Sequence, residues 1–117
     1  MKTTYYAITN ELSAHPATVR RAARLFRRAA YRIFDEIWVA FESSPHRHYH
    51  VLAAAGGTPD FDLYARRLGA HTNWHRPLTS VRALENYYHY MFALGAHAKK
   101  GKHTMPVLFP RALTAWQ

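Results

Sequence analysis

The chain has 117 residues, 49% of them apolar and 15% aromatic: enough for one packed core, too apolar for a disordered tail, and too short for a second catalytic or motor domain. It has 16 Lys and Arg against 7 Asp and Glu, and the formal charge of +9 points to a polyanionic partner. Cysteine is absent, which excludes disulfides, thiolate metal sites and cysteine nucleophiles and leaves His, Asp, Glu or solvent to hold any metal. No apolar run is long enough to span a bilayer and no secretory leader is visible, so no membrane partner is expected and nothing argues for secretion, although the compartment is left undetermined, and residues 1–117 are expected to form one domain.

In chain order, Thr3 to Thr9 is rich in β-branched and aromatic residues and predicts a first strand ended by Asn10-Glu11. Ser13 to Pro16 supplies a helix start, with Ser13 or His15 near the cap and Pro16 in the first turn. Val19, Ala22, Ala23, Phe26, Ala29, Ala30 and Ile33 then recur at helical spacing and predict an amphipathic helix of roughly five turns. Its outer face carries Arg20, Arg21, Arg24, Arg27, Arg28 and Arg32, which reads either as a solvated face or as an auxiliary phosphate-contacting surface.

Two further strands are predicted at 37–42 and 48–55, joined by the turn-rich Ser43-Ser44-Pro45-His46-Arg47 as a hairpin. After Gly56-Gly57, Thr58 and Pro59 suit the start of a short helix through Leu68, stopped by Gly69. Residues 70–77 form a weaker strand candidate. Ser80 caps a last helix containing Val81, Leu84, Tyr87, Tyr88, Met91 and Leu94, and a basic loop leads to a final strand around Met105 to Phe109. The order βαββαβα, with one further β, predicts an α+β fold: a ferredoxin-like antiparallel sheet with helices packed mainly on one face.

Three imidazoles stand on alternate positions in His46-Arg-His48-Tyr-His50, at the start of what reads as a buried strand. With a five-residue hairpin connection, Glu42 faces His48 and Ala40 faces His50, and Glu42, His48 and His50 converge on one side of the sheet. One carboxylate and two imidazoles with open positions suit an octahedral divalent ion acting as a Lewis acid, Mn²⁺ or Mg²⁺. A register slip of one residue would send Glu42 to the other face. On that alternative the His pair is only polar alternation.

The string Phe41-Glu42 followed by His48-Tyr49-His50-Val51-Leu52 resembles the metal motif of the HUH endonucleases, the initiators of rolling-circle replication and their relatives. In that family a His-hydrophobic-His pair lies on a central strand, and in many viral members a Glu on the preceding strand completes the site. Tyr5 to Thr9 is similar to the family's first strand motif, and the helix after residue 80 stands where its nucleophilic tyrosine belongs. The resemblance implies the HUH nuclease form of the fold over the single domain 1–117. It implies a metal-dependent endonuclease that nicks and rejoins single-stranded DNA at an origin or stem-loop through a 5′-phosphotyrosine. A host helicase or replication proteins are then possible partners, in a host-cell cytoplasm.

The family pattern has Lys three residues after the tyrosine, whereas here Tyr87, Tyr88 and Tyr90 are followed at that spacing by Tyr90, Met91 and Ala93. Lys99, Lys100 or Lys102 would have to reach back. Leu84 and Met91 define the buried stripe of the helix, flanked by Val81 and Leu94, which favours Tyr87 or Tyr88 as the residue facing the sheet. Tyr87 is the first choice as nucleophile and Tyr90, on the same face at i+3, the reserve. No tyrosine pair at i, i+4 exists, so a single-tyrosine enzyme is expected. His71, His75, His89, His97 and His103 read as surface or packing residues, and Trp74, His75 and Arg76 as a clamp for unpaired bases or as ordinary packing. The competing functions are a non-catalytic single-stranded DNA or RNA binder on the same fold, an insertion-sequence transposase of the same chemistry, and a homodimer pairing edge strands.

Overall fold

The structure, a computed structural model, describes residues 2–42 and 47–91 and the strand backbone at 104–109. Eight elements follow in order: β1 (Thr4–Leu12), α1 (Val19–Ala30), β2 (Glu36–Glu42), β3 (His48–Ala55), α2 (Phe61–Leu68), β4 (Ala70–Leu78), α3 (Val81–Met91) and β5 (Thr104–Phe109). The strands form one sheet in the order β4-β1-β3-β2-β5, every pair antiparallel. The βαββαβ succession with β1 and β3 at the centre is ferredoxin-like. β5 adds a strand beside β2.

Alternation along the strands divides the core into two layers. Ile8, Leu12, Ile37, Val39, Tyr49, Val51, Ala53 and Ala55 pack with α1 and α2 through Ala22, Ala23, Phe26, Ala29, Tyr64 and Leu68. On the opposite face Ala7, Ala40, Leu52 and Leu78 pack against Tyr87 and Met91 of α3. Two of the three described helices thus share one face and α3 covers the other. Because both faces of β3 are covered, all eight of its residues are buried. That is why it reads as an apolar run interrupted by imidazoles.

The local signals differ from expectation at several ends. β1 continues to Leu12 because Asn10 pairs with Tyr49 on one side and Asn73 on the other. That extension consumes the chain expected to start the helix, and the Ser13 N–H is taken by the Gly69 carbonyl at 2.9 Å. α1 therefore starts after Thr18, whose Oγ1 accepts from the Arg21 N–H at 3.1 Å, with Pro16 left outside. It stops at Ala30 rather than Ile33, and Arg32 turns the chain with φ at 62°. α1 has 12 residues, closer to three turns than five. α2 is capped by Asp60 in place of Thr58, with Oδ1 accepting from the Leu63 N–H at 3.0 Å, and it ends as expected at Gly69, φ 72°. Ser80 caps α3, its Oγ accepting from the Ala83 N–H at 3.0 Å, but Val81, expected at the flank of the buried stripe, is 72% exposed.

One polar network crosses the core. The fully buried Asn10 amide donates to the Thr72 carbonyl at 3.0 Å and to Asn73 Oδ1 at 2.9 Å, and its own Oδ1 accepts from the Tyr64 hydroxyl at 2.9 Å. Asn73 in turn donates to the Phe61 carbonyl at 3.2 Å. The network ties α2 to β1 and β4 at a depth where each polar atom needs a partner.

Candidate metal centre

The β2–β3 register pairs Glu42 with His48 and Ala40 with His50, the arrangement the five-residue connection predicts. Facing residues of an antiparallel pair project to one side. The three side chains accordingly meet on the α3 face, each under a tenth exposed: Glu42 at 4%, His48 and His50 at 7%. Glu42 Oε1 is 2.7 Å from His48 Nε2 and 3.1 Å from His50 Nε2, and the two Nε2 atoms are 3.1 Å apart.

This triangle cannot be closed by hydrogen bonds between neutral rings. If both Nε2 atoms carry protons toward the carboxylate, two N–H groups confront each other at 3.1 Å. If one ring donates to the other, the acceptor's Nε2 turns a lone pair toward the carboxylate oxygen. A cation among three lone pairs satisfies every edge at once and also offsets the cost of burying a carboxylate. Glu42, His48 and His50 are thus a group able to hold a metal ion.

The tyrosines of α3 are sorted by their surroundings. Tyr90 is half-buried; its hydroxyl is 3.5 Å from His50 Nε2 and its ring meets the His50 ring edge-on at 5.0 Å. The hydroxyl of Tyr87 instead faces two backbone carbonyls, those of Ile8 and Val51, at 3.1 Å each. Burial pushes the Tyr87 phenol well above the ordinary tyrosine pKa. Tyr88 is exposed and its ring meets His89. The helical stripe therefore marked the residue that anchors α3, and the hydroxyl nearest the metal group belongs to the reserve candidate.

A cleft of about 510 Å³ opens beside the metal group, lined by His50, Tyr87 and Tyr90 together with Thr9, Trp74, Arg76, Ala83 and Asn86. Trp74 is 53% exposed, and the Arg76 guanidinium lies 5.7 Å from the centre of its ring. His75 alternates to the other face, where it stacks on Phe61 at 3.7 Å, and so takes no part in the expected clamp. Thr9 and Asn86 carry no signal in the sequence that marks them as site residues. The cross-strand pairs Thr9↔His50 and Thr9↔Trp74 place Thr9 at the cleft, and Asn86 lies one turn before Tyr90.

Of the remaining histidines, His71 pairs with Glu11 at 2.9 Å, and His15 stacks on Tyr49 beneath the hairpin, on the face away from the metal group. His46, His97, His103, Lys99, Lys100 and Lys102 lie outside the described residues. Among the described residues no helix is long and apolar enough to cross a membrane. Comparisons with protein-family models, curated proteins and solved structures find no match to this chain.

Proposed function

We propose that this chain is a metal-dependent single-stranded DNA endonuclease of the HUH type, one that nicks and rejoins DNA through a 5′-phosphotyrosine as a rolling-circle replication initiator does. The observation that carries the reading is the Tyr90 hydroxyl 3.5 Å from a nitrogen of the Glu42, His48, His50 group. A nucleophile for a phosphodiester must lie beside the centre that polarises the phosphate, and Tyr90 does; we therefore assign it the role in preference to Tyr87. The Tyr87 hydroxyl is committed to backbone carbonyls.

The donor set supports Mn²⁺ or Mg²⁺ in this group: Glu42 offers a hard carboxylate oxygen and His48 and His50 two imidazole nitrogens, and three protein ligands would leave positions for water and a phosphate oxygen. Such an ion would polarise a non-bridging phosphate oxygen and offset developing charge.

Tyr90 Oη attacks the phosphorus, its proton leaving to solvent; the P–O3′ bond breaks and the departing 3′ oxygen takes up a proton. Attack by a second 3′-hydroxyl on the phosphotyrosine reverses the step and joins the strands. Trp74, with Arg76 over its ring, offers the adjoining nucleotide a stacking surface and a cation, while Thr9 and Asn86 supply polar groups along the cleft.

The test uses labelled single-stranded and stem-loop oligonucleotides with Mn²⁺, and detects a covalent protein–DNA adduct on a denaturing gel. Adduct formation in wild type, Tyr87→Phe and Tyr88→Phe, with loss in Tyr90→Phe and His50→Ala, is the expected pattern. Loss in Tyr87→Phe with retention in Tyr90→Phe would transfer the role to Tyr87. Binding without an adduct on any oligonucleotide would replace the enzyme by a non-catalytic binder that uses the same cleft.

A further inference from the structure

The five arginines of α1 lie on the far side of the sheet from the cleft, and the function proposed above does not use them. α1 carries Arg20, Arg21, Arg24, Arg27 and Arg28 in 12 residues, with no acidic residue in the helix. At about 100° per residue the five fall within roughly 120° of arc, opposite the buried Ala22, Ala23, Phe26, Ala29 and Ala30. Arg20, Arg21, Arg24 and Arg28 are exposed, and none of these four forms an ion pair among the described residues. Arg20–Arg24 and Arg24–Arg28 repel at i, i+4, and Arg21–Arg24 and Arg24–Arg27 at i, i+3, so the pattern works against the helix that bears it.

We infer that this face is a second nucleic-acid surface, one that grips the sugar-phosphate backbone of a double helix. Three features select that partner. Arg20, Arg24 and Arg28 form a row about 12 Å long with a cation about every 6 Å, so that its three side chains can each meet a phosphate along one strand. The cations are guanidiniums, whose planar fork matches phosphate oxygens in pairs.

The third feature is the contrast with the cleft. There exposed Trp74 and half-buried Tyr90 provide rings in a cleft for unstacked bases, whereas the ring at the C-terminal end of the arginine arc, Tyr31 at the C-cap of α1, already has the Arg32 guanidinium 5.5 Å from its centre, so the arc presents cations and suits a duplex whose bases stay stacked. A membrane surface is disfavoured because the apolar side of α1 is already consumed by the core. The two faces thus divide one kind of substrate, unpaired strand at the cleft and paired strand at α1.

The experiment measures binding of a 20-base-pair mixed-sequence duplex by fluorescence anisotropy from about 50 to 300 mM KCl, with the full chain. Wild type binds with a steep negative slope of log K against log salt. In Arg20→Gln/Arg24→Gln/Arg28→Gln the slope becomes shallower by about 2.7, at about 0.9 for each phosphate no longer neutralised. The corresponding triple Lys variant keeps the wild-type slope. Binding of a 15-nucleotide oligothymidine and any Mn²⁺-dependent adduct stay unchanged, which separates failure here from failure of the nuclease reading.

If the triple Gln variant is misfolded by circular dichroism, Arg24→Gln alone serves, with an expected change of about 0.9. An unchanged slope in a folded Gln variant, or a wild type that ignores duplex, would overturn the inference. So would a wild type that binds phosphatidylserine vesicles in preference to duplex.

Discussion

Glu42, His48 and His50 are each a poor choice for a buried strand end taken singly, and become sensible only as a set. A metal that binds the folded protein and not the unfolded chain stabilises it by about 2.7 kcal/mol at a hundred times its dissociation constant. Added Mn²⁺ is therefore expected to raise the melting temperature of the wild type by several degrees and to leave Glu42→Gln and His50→Ala nearly unmoved, with differential scanning calorimetry as the readout. Equal shifts in all three proteins would rule the group out as a metal centre. Asn10 makes a purely structural prediction. In Asn10→Ala the buried Tyr64 hydroxyl loses its acceptor and Thr72 and Asn73 lose a donor, so chemical denaturation should show a loss of about 2–4 kcal/mol. Adduct formation by the surviving folded fraction should persist.

The elements are held at their ends by single residues whose effects can be measured. Gly69 closes α2 with φ at 72°, and a Cβ there would meet nothing within 4 Å. Gly69→Ala should therefore cost only the left-handed backbone penalty, about 1 kcal/mol. Thr18→Ala removes the cap of α1 and should cost about the same by urea denaturation. A much larger loss at Gly69 would mean that the loop between α2 and β4 carries packing beyond its turn.

The same ends show how local signals were overridden. Ser13, Pro16 and Thr58 are respectable start signals, yet tertiary pairing of β1 through Leu12 and the nearer Asp60 displaced them. Gly69 and Ser80 met no such competitor and served as their chemistry suggests.

For the molecule as a whole, burial of two phenols adds to the loss of stability at alkaline pH. Tyr64 and Tyr87 are held protonated in the fold well above the ordinary value of about 10. Their stabilising share is complete below that pH and is lost as pH rises, because the unfolded chain releases protons that the folded chain keeps. Each then steepens the decline by up to about 1.4 kcal/mol per pH unit. Urea titrations between about pH 9.5 and 11.5 should give a shallower decline for Tyr87→Phe than for wild type. Parallel declines would mean that Tyr87 ionises freely in the fold.

Sequence alone determined the ferredoxin-like α+β fold and singled out Glu42, His48 and His50, because strand alternation is a local rule; the β2–β3 register that brings the three to one face was chosen between two alternatives only by the packed sheet. Sequence also separated the arginine arc of α1 from its apolar arc, since helical periodicity needs no partner to be read. Tertiary structure decided which tyrosine hydroxyl lies beside the trio. Periodicity ranks side chains by burial alone, and the most buried tyrosine of α3, Tyr87, spends its hydroxyl on Ile8 and Val51 while its neighbour one turn on approaches His50. Tertiary structure likewise brought Thr9, Trp74, Arg76 and Asn86 to one cleft and sent His75 to the other face, because residues from three elements meet only once β1, β4 and α3 are packed.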